Sequence, residues 1–464
     1  MSHFMQINVL QIHFSAQNIV EVMEIRRNVI EKLVEWKNSE MHKPMLLIGA
    51  RQTGKTWVML EFGRKHFEHI AFFDFSETLE LETIFNQTKE PERLLKELAM
   101  QTDVPIEPGK TLIVFDEIQE CEAAFNSLKY FCDRAPQYHI IAAGSLLGVA
   151  VRRRKMTVPV GKVAIMRMNP ITFDEFLRAS EPSLYEFVSR LEDVNRIPEI
   201  IHSKLLLEYR RYQVCGGMPE AAVALLSDKG MGSVELALQN ILDLYEMDFA
   251  KYAEPREIPR IKALWHSLPS QLSKDNRKFI YNVVQSGARA KDYEDGLLWL
   301  EEAGMIHRVF SASKPAMPLS GYREVNAFKV YACDCGLLRR LARVPADVIL
   351  GGAISYTEFK GALAENMILQ SYIATLNDVP YYWTSTGRAE IEFVVQNGVN
   401  IVPMEVKAAG CVGGKSLTVY NEKFNPAVRV RFSANNLQKN DNMISCPLYL
   451  SDWLFAKQNW VELL

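Results

Sequence analysis

The chain has 464 residues, 48% of them apolar and 23% charged, with a formal net charge of −3. Such a length allows two to four domains with cores of their own, and the composition excludes a disordered or fibrous chain. The slight negative balance supplies no global field for nucleic acid or an anionic membrane, so any such contact must come from a local patch.

No apolar run is long enough to span a bilayer, and the longest, Ile140 to Val151, is interrupted by Ser145. Seven cysteines are scattered without a paired framework, which points to a reducing, cytoplasmic setting. Cys333-Asp334-Cys335 is spaced for neither a zinc knuckle nor a redox pair, so its thiols are expected to be buried.

Residues 1–22 show no strong period and no basic segment leading an apolar one, so a signal peptide is not expected. They read as an N-terminal extension, with the working protein starting at Met23. A helical pattern follows in Ile25, Val29, Leu33 and Trp36.

The apolar run Met45-Leu46-Leu47-Ile48 then leads into Gly49-Ala50-Arg51-Gln52-Thr53-Gly54-Lys55-Thr56, and helical spacing resumes through Phe62. Strand, glycine-rich loop and helix in that order form the phosphate-binding loop of nucleoside-triphosphatases. The two glycines let backbone N–H groups approach phosphate oxygens without a Cβ in the way, and the helix N-terminus adds partial positive charge. Lys55 is expected to reach the terminal phosphates and Thr56 to ligate Mg²⁺ beside ATP.

His69 to Phe75 reads as a strand, and Leu79 to Leu98 as helix broken at Pro91. Lys110 to Glu117 reads as a buried parallel strand with two carboxylates at its carboxyl end, where open α/β sheets bind ligands. Asp116 is the expected support for Mg²⁺, and Glu117 the base that orients the attacking water. Tyr138 to Ala143 forms a further strand, and Ser145 after it is a candidate γ-phosphate sensor or a plain strand-end turn. Arg152-Arg153-Arg154-Lys155 is a solvated basic face or the source of an arginine finger for a neighbouring subunit.

This order of motifs resembles an AAA+ ATPase. The stretches Asn169-Pro170-Ile171-Thr172-Phe173-Asp174-Glu175-Phe176 and Cys215-Gly216-Gly217-Met218-Pro219-Glu220 narrow the resemblance. They resemble a bacterial and archaeal group of ATP-binding proteins in which a domain of unknown function with a restriction-endonuclease-like core follows the ATPase. The group usually has Gly-Arg where this chain has Gly161-Lys162, and often a hydroxyl residue at Ala143.

The resemblance implies an α/β fold: a three-layer P-loop NTPase core at 23–168 and a helical lid at 169–255. A winged helix-turn-helix is expected at 256–312 and a restriction-endonuclease-like α/β domain at 313–464. The third helix expected in the winged module carries Asp292, Glu294, Asp295, Glu301 and Glu302 against Arg289 and Lys291. An acidic face repels phosphate, so packing or protein docking is expected of it before DNA binding.

Near the carboxyl end, Arg388 to Val395 and Val402 to Lys407 alternate as strands, and residues two apart share a face. Glu405 and Lys407 therefore point together, and Glu392 on the preceding strand can join them to hold a metal ion. Glu365 resembles the additional acidic residue of that core, where relatives more often have aspartate in place of Glu392. Three functions are expected: an Mg²⁺-dependent ATPase driving a conformational change, an ATP-regulated nuclease acting on nucleic acid, and a nucleotide-switched docking protein. AAA+ modules commonly assemble as homo-oligomers, and no membrane association is expected.

Overall fold

The computed structural model describes residues 24–154, 159–227, 229–274, 277–351, 357–408 and 414–464. The expected extension at 1–22 and Lys155 lie outside them. Among the described residues no helix is long and apolar enough to cross a membrane.

The amino-terminal unit opens with helix α1 (Val29–Lys37) and strand β1 (Met45–Ile48), whose short apolar run is buried. Helix α2 (Lys55–His66) and β2 (His69–Asp74) follow, then α3 (Leu79–Gln87) and α4 (Pro91–Ala99), split where proline starts the second helix. Next come β3 (Thr111–Asp116), α5 (Glu122–Arg134), β4 (His139–Gly144), α6 (Leu147–Arg154) and β5 (Ala164–Arg167). The five strands form a parallel sheet in the order β2-β3-β4-β1-β5. β3 and β4 are buried on both faces, as uninterrupted apolar runs require. One face is covered by α1 and α2 around Leu33, Val58 and Phe62, the other by α3 to α5 around Phe85, Leu94 and Phe125. The result is the expected three-layer α/β core.

Helices α7 (Phe173–Ser180), α8 (Pro182–Ser189), α9 (Glu199–Cys215), α10 (Pro219–Leu226) and α11 (Met231–Tyr252) make up the helical region. Three more helices, α12 (Ile258–Leu272), α13 (Tyr281–Val284) and α14 (Ala290–Glu302), precede strands β6 (Ile306–Ala312) and β7 (Arg323–Ala332). These two strands pair antiparallel, so the boundary expected at 312/313 falls inside one hairpin.

The carboxyl-terminal region adds helices α15 (Cys335–Leu341), α16 (Ala346–Leu350) and α17 (Thr357–Leu376), then strands β8 (Tyr381–Thr384), β9 (Glu390–Asn397) and β10 (Asn400–Val406). Helix α18 (Lys415–Phe424), strands β11 (Arg429–Ser433), β12 (Gln438–Asn440) and β13 (Met443–Pro447), and helix α19 (Ser451–Phe455) complete it. Eight strands join in the order β12-β13-β11-β10-β9-β8-β6-β7. The hairpin is thus the end of the carboxyl-terminal sheet, because β6 pairs with β8 at Ser311 and Tyr382. One apolar core runs from the helical region through this sheet, taking in Phe176, Leu238, Trp265, Tyr331 and Leu454.

Candidate functional site

The loop joining β1 to α2 is shaped by close contact on three sides. A Cβ at Gly49 would sit 2.2 Å from the Met168 carbonyl oxygen, and Gly54 turns into α2 at φ 87°, so both glycines are required. Gln52 also has positive φ, 64°, a strained backbone of the kind held in place at functional sites. The Thr53 hydroxyl donates to the Ala50 carbonyl at 2.9 Å, closing the loop on itself. The Lys55 ammonium lies inside, donating to the carbonyls of Ala50 at 2.8 Å and Gly49 at 3.1 Å. Burial pulls its pKa down to about 8, against the opposing pull of Glu117 and Asp116.

The loop also rests on residues that carry no local signal in the sequence. Arg27, buried, donates to the Thr53 carbonyl at 2.9 Å, to the Asn169 carbonyl at 2.6 Å and to Glu175 at 3.1 Å. Glu175 is fixed by a capping box with Thr172, the readable T-x-x-E spacing at the start of α7. The Arg51 guanidinium donates to Asp248 of α11, and the Tyr245 hydroxyl donates to the Arg51 carbonyl at 3.0 Å.

Across the sheet, the exposed Thr56 hydroxyl donates to Asp116 Oδ2 at 2.6 Å. Burial raises the Asp116 pKa, and the Thr56 hydrogen bond works against that rise. Glu117 leaves the strand in the left-handed region at φ 48°, with its own N–H donating to Asp116 Oδ1 at 3.0 Å. Its carboxylate accepts from the Ser145 hydroxyl at 3.1 and 3.2 Å and from the Gln119 amide. Ser145 therefore reaches this region from β4, which lies between β1 and β3, but its hydroxyl is aimed at Glu117. Gly144 permits the approach, since a Cβ there would meet Gln119 at 2.5 Å.

Of the arginine run, the side chain of Arg152 alone lies among the described residues. Arg152 pairs with Asp295 at 2.9 Å and lies 3.7 Å from Glu302, both on α14. The side chains of Arg153 and Arg154 lie outside the described residues. Lys162 pairs with Asp133 on the surface at 2.5 Å.

The carboxyl-terminal residues also converge, but with cations between the acids. Lys407 Nζ is 3.4 Å from both Glu392 and Glu405, and Glu405 accepts from Arg431 at 2.9 Å. Burial pulls the Lys407 ammonium down, and the two carboxylates outweigh it, leaving its pKa above the ordinary value. Glu365 pairs with Arg277 and accepts from the Tyr331 hydroxyl at 3.0 Å. Among the described residues no three or more His, Cys, Asp or Glu side chains are grouped to hold a metal ion.

A cavity of about 730 Å³ lies against Gly49, Ala50 and Ser145 on one side and His307, Arg323 and Tyr381 on the other. A second, of about 420 Å³, is bordered by Asp174 and Asp452. Neither is lined by Lys55 or Thr56, and the first shares Gly49 and Ala50 with the phosphate cradle.

Residues 41–177 match a family model described as an AAA domain. The match covers the cradle, the Asp116-Glu117 strand end and all five strands of the parallel sheet, and it supports an ATP-binding ATPase of AAA+ type. Residues 206–348 and 360–450 match two models described as domains of unknown function (DUF8612 and DUF4143). The first of these spans both boundaries expected at 255/256 and 312/313.

No curated protein matches the chain. Among solved structures, the chain is similar to the Walker-type ATPase PABY2304 of Pyrococcus abyssi, at 15% identity over 68% of this chain and 96% of that one, TM-score 0.41. It is similar to the Aeropyrum pernix ORC2 protein at 14% identity over 74% and 98%, TM-score 0.37. The Thermotoga maritima RuvB Holliday junction branch migration motor is similar at 14% identity over 61% and 90%, TM-score 0.26. Superpositions this loose carry no argument about function, which is left to the AAA domain match and the geometry of the cradle.

Proposed function

We propose that this chain is an Mg²⁺-dependent ATPase of AAA+ type that couples hydrolysis to a change of conformation. The observation that carries the reading is the 2.6 Å contact between Thr56 and Asp116, which joins the phosphate loop to the acidic strand end sixty residues away. Backbone N–H groups of residues 49–55 and the N-terminus of α2 would hold the phosphates, with Lys55 at the terminal ones. Thr56 and Asp116 are hard oxygen donors, the set that suits Mg²⁺, and they would hold it. When bound, the ion supplies charge neutralisation at the phosphate oxygens. Glu117 would orient and deprotonate water, with its carboxylate kept in place by Ser145 and Gln119.

Lys55→Ala should abolish nucleotide binding, and Glu117→Gln should retain binding while turnover falls about 100-fold or more. Parental turnover in purified Glu117→Gln would remove the base assignment. Near-zero turnover with tight ATP binding in the unmodified chain would instead favour the nucleotide-switched docking protein.

A second reading is favoured by the convergence of Glu392, Glu405 and Lys407: a nuclease site under control of the ATPase. Incubation of DNA or RNA with Mg²⁺ or Mn²⁺, compared with the double variant Glu405→Ala/Lys407→Ala, tests it. Cleavage persisting in that variant would exclude the site.

A further inference from the structure

The nucleotide cradle has a third wall, α11, whose role the ATPase reading leaves open. Tyr245, Asp248 and Tyr252 lie on one face of this helix at three- and four-residue spacing. Tyr245 and Asp248 hold Arg51 by its backbone carbonyl and its guanidinium. One turn further on, the Tyr252 hydroxyl donates to Glu120 at 2.6 Å, and Lys251 lies 3.5 Å from the same oxygen. Glu120 belongs to the turn directly after Glu117. The helix therefore grips the phosphate loop at one point and the acidic turn at another.

Asp248 is an uncomfortable residue in this position. Its side chain is 2% exposed, and Oδ2 is buried without a hydrogen-bond partner. Arg51 is 36% exposed, so the guanidinium can leave while the carboxylate cannot follow it into water. Electrostatics place the pair beside the reacting groups. Asp248 is raised first by burial, is opposed by Arg51, and feels the charge of Glu117, while Arg51 helps to depress Lys55.

We propose that Asp248 is a positioning residue that holds Arg51 off the phosphate cradle, and that a bound triphosphate competes with it for the guanidinium. The proposal rests on the ATP-binding reading of the loop. Arginine binds phosphate through the same planar fork that it offers a carboxylate, so the exchange keeps its hydrogen bonds. The carboxylate gains nothing in return. Left buried and uncompensated, Asp248 favours withdrawal of α11 from the loop, and Tyr252 carries that movement to the turn after Glu117. Asp248 feels the charge of Glu117, the base proposed to act at the terminal phosphate, so that phosphate is the group that draws Arg51 across.

The test is calorimetric titration of full-length parent, Asp248→Asn, Arg51→Gln and the double variant with a non-hydrolysable ATP analogue and with ADP, each with Mg²⁺. Asp248→Asn should bind the triphosphate about tenfold more tightly, within the usual range for coupled sites, with ADP affinity unchanged. The gain should vanish in the double variant, Arg51→Gln alone should bring the two affinities together, and Asp248→Glu should restore the parental ratio. Weaker binding of both nucleotides in Asp248→Asn, or a gain that survives without Arg51, would overturn the proposal. If Asp248→Asn does not fold, an unchanged triphosphate-to-ADP ratio in Arg51→Gln overturns it alone. A parent that binds neither nucleotide overturns the ATP-binding reading itself, a result distinct from the other two.

Discussion

Lys55 sits where its charge is least comfortable, buried in the loop and held by the carbonyls of Gly49 and Ala50. Its folded pKa of about 8 lies below the ordinary 10.5, chiefly through burial. Between those two values the unfolded chain binds more protons, so this group's destabilising contribution is full below about pH 8 and fades as pH rises to 10.5. A triphosphate brought beside the ammonium must raise its pKa again. Carbon-13 NMR of labelled lysine should show one resonance titrating near pH 8 that moves up when the Mg²⁺–ATP analogue is added. A Lys55 resonance titrating near 10.5 without nucleotide would contradict this placement. The residue type at this position was legible in the sequence because the loop's spacing is local. Arg27 and Asp248 were not, since the carboxylate partner of Arg27 and the arginine partner of Asp248 stand well over a hundred residues away and no period marks them.

At the scale of elements, two of the contacts that join the AAA domain to the remainder of the chain lie near its carboxyl end. Gly216 and Gly217 have no room for a Cβ, which would meet Asp334 at 2.2 Å and the Ile171 carbonyl oxygen at 2.2 Å respectively. Asp334 caps α15 through Leu337 N–H at 2.9 Å and also accepts from Gly217 N–H at 2.6 Å. The residue between the two buried cysteines is therefore a joint between helices, which the spacing of the thiols gave no way to foresee.

The second contact is the carboxyl pair Asp174 and Asp452, from α7 and α19. The Asp174 N–H donates to Asp452 at 2.9 Å, and the Ser371 hydroxyl donates to the other oxygen at 2.5 Å. Burial and then Asp452 push the Asp174 pKa up to about 8, with Arg178 opposing and Glu175 adding to the rise. A raised carboxyl pKa means that the folded chain holds the extra proton, so stability from this pair falls as pH climbs from about 4 to about 8. Asp174→Asn should flatten that part of the profile and make the protein more stable at pH 8 than its parent. Urea unfolding from pH 5 to pH 8 measures this, and an unchanged slope in the variant would refute the raised Asp174 pKa.

The whole molecule is less divisible than its sequence suggests. Boundaries at 255/256 and 312/313 were expected from the family resemblance, while β6 and β7 extend the carboxyl-terminal sheet and one core unites the helical region with it. Sheet membership depends on strands far apart in the chain, and no local period reports it. The acidic α14 was legible as a packing surface: Glu294 and Glu301 pair with Arg308, and Asp295 with Arg152. A Cβ at Gly148 of α6 would lie 2.8 Å from the Glu302 carbonyl oxygen, so α14 docks directly on the helix that bears the arginine run. The Arg152 pairs are largely exposed and worth little, so Arg152→Ala should change stability by less than about 1 kcal/mol. Its turnover should stay within about twofold of the parent, and a fall of about 1,000-fold would make Arg152 an arginine finger instead.

The central claim is that the loop at residues 49–56 captures a magnesium-loaded nucleotide. Isothermal titration of the purified chain with Mg²⁺–ATP, beside Lys55→Ala, tests it most directly. Saturable binding at one site per chain, absent from the variant, is the predicted result. No heat of binding in the parent, or equal binding in Lys55→Ala, would contradict the account.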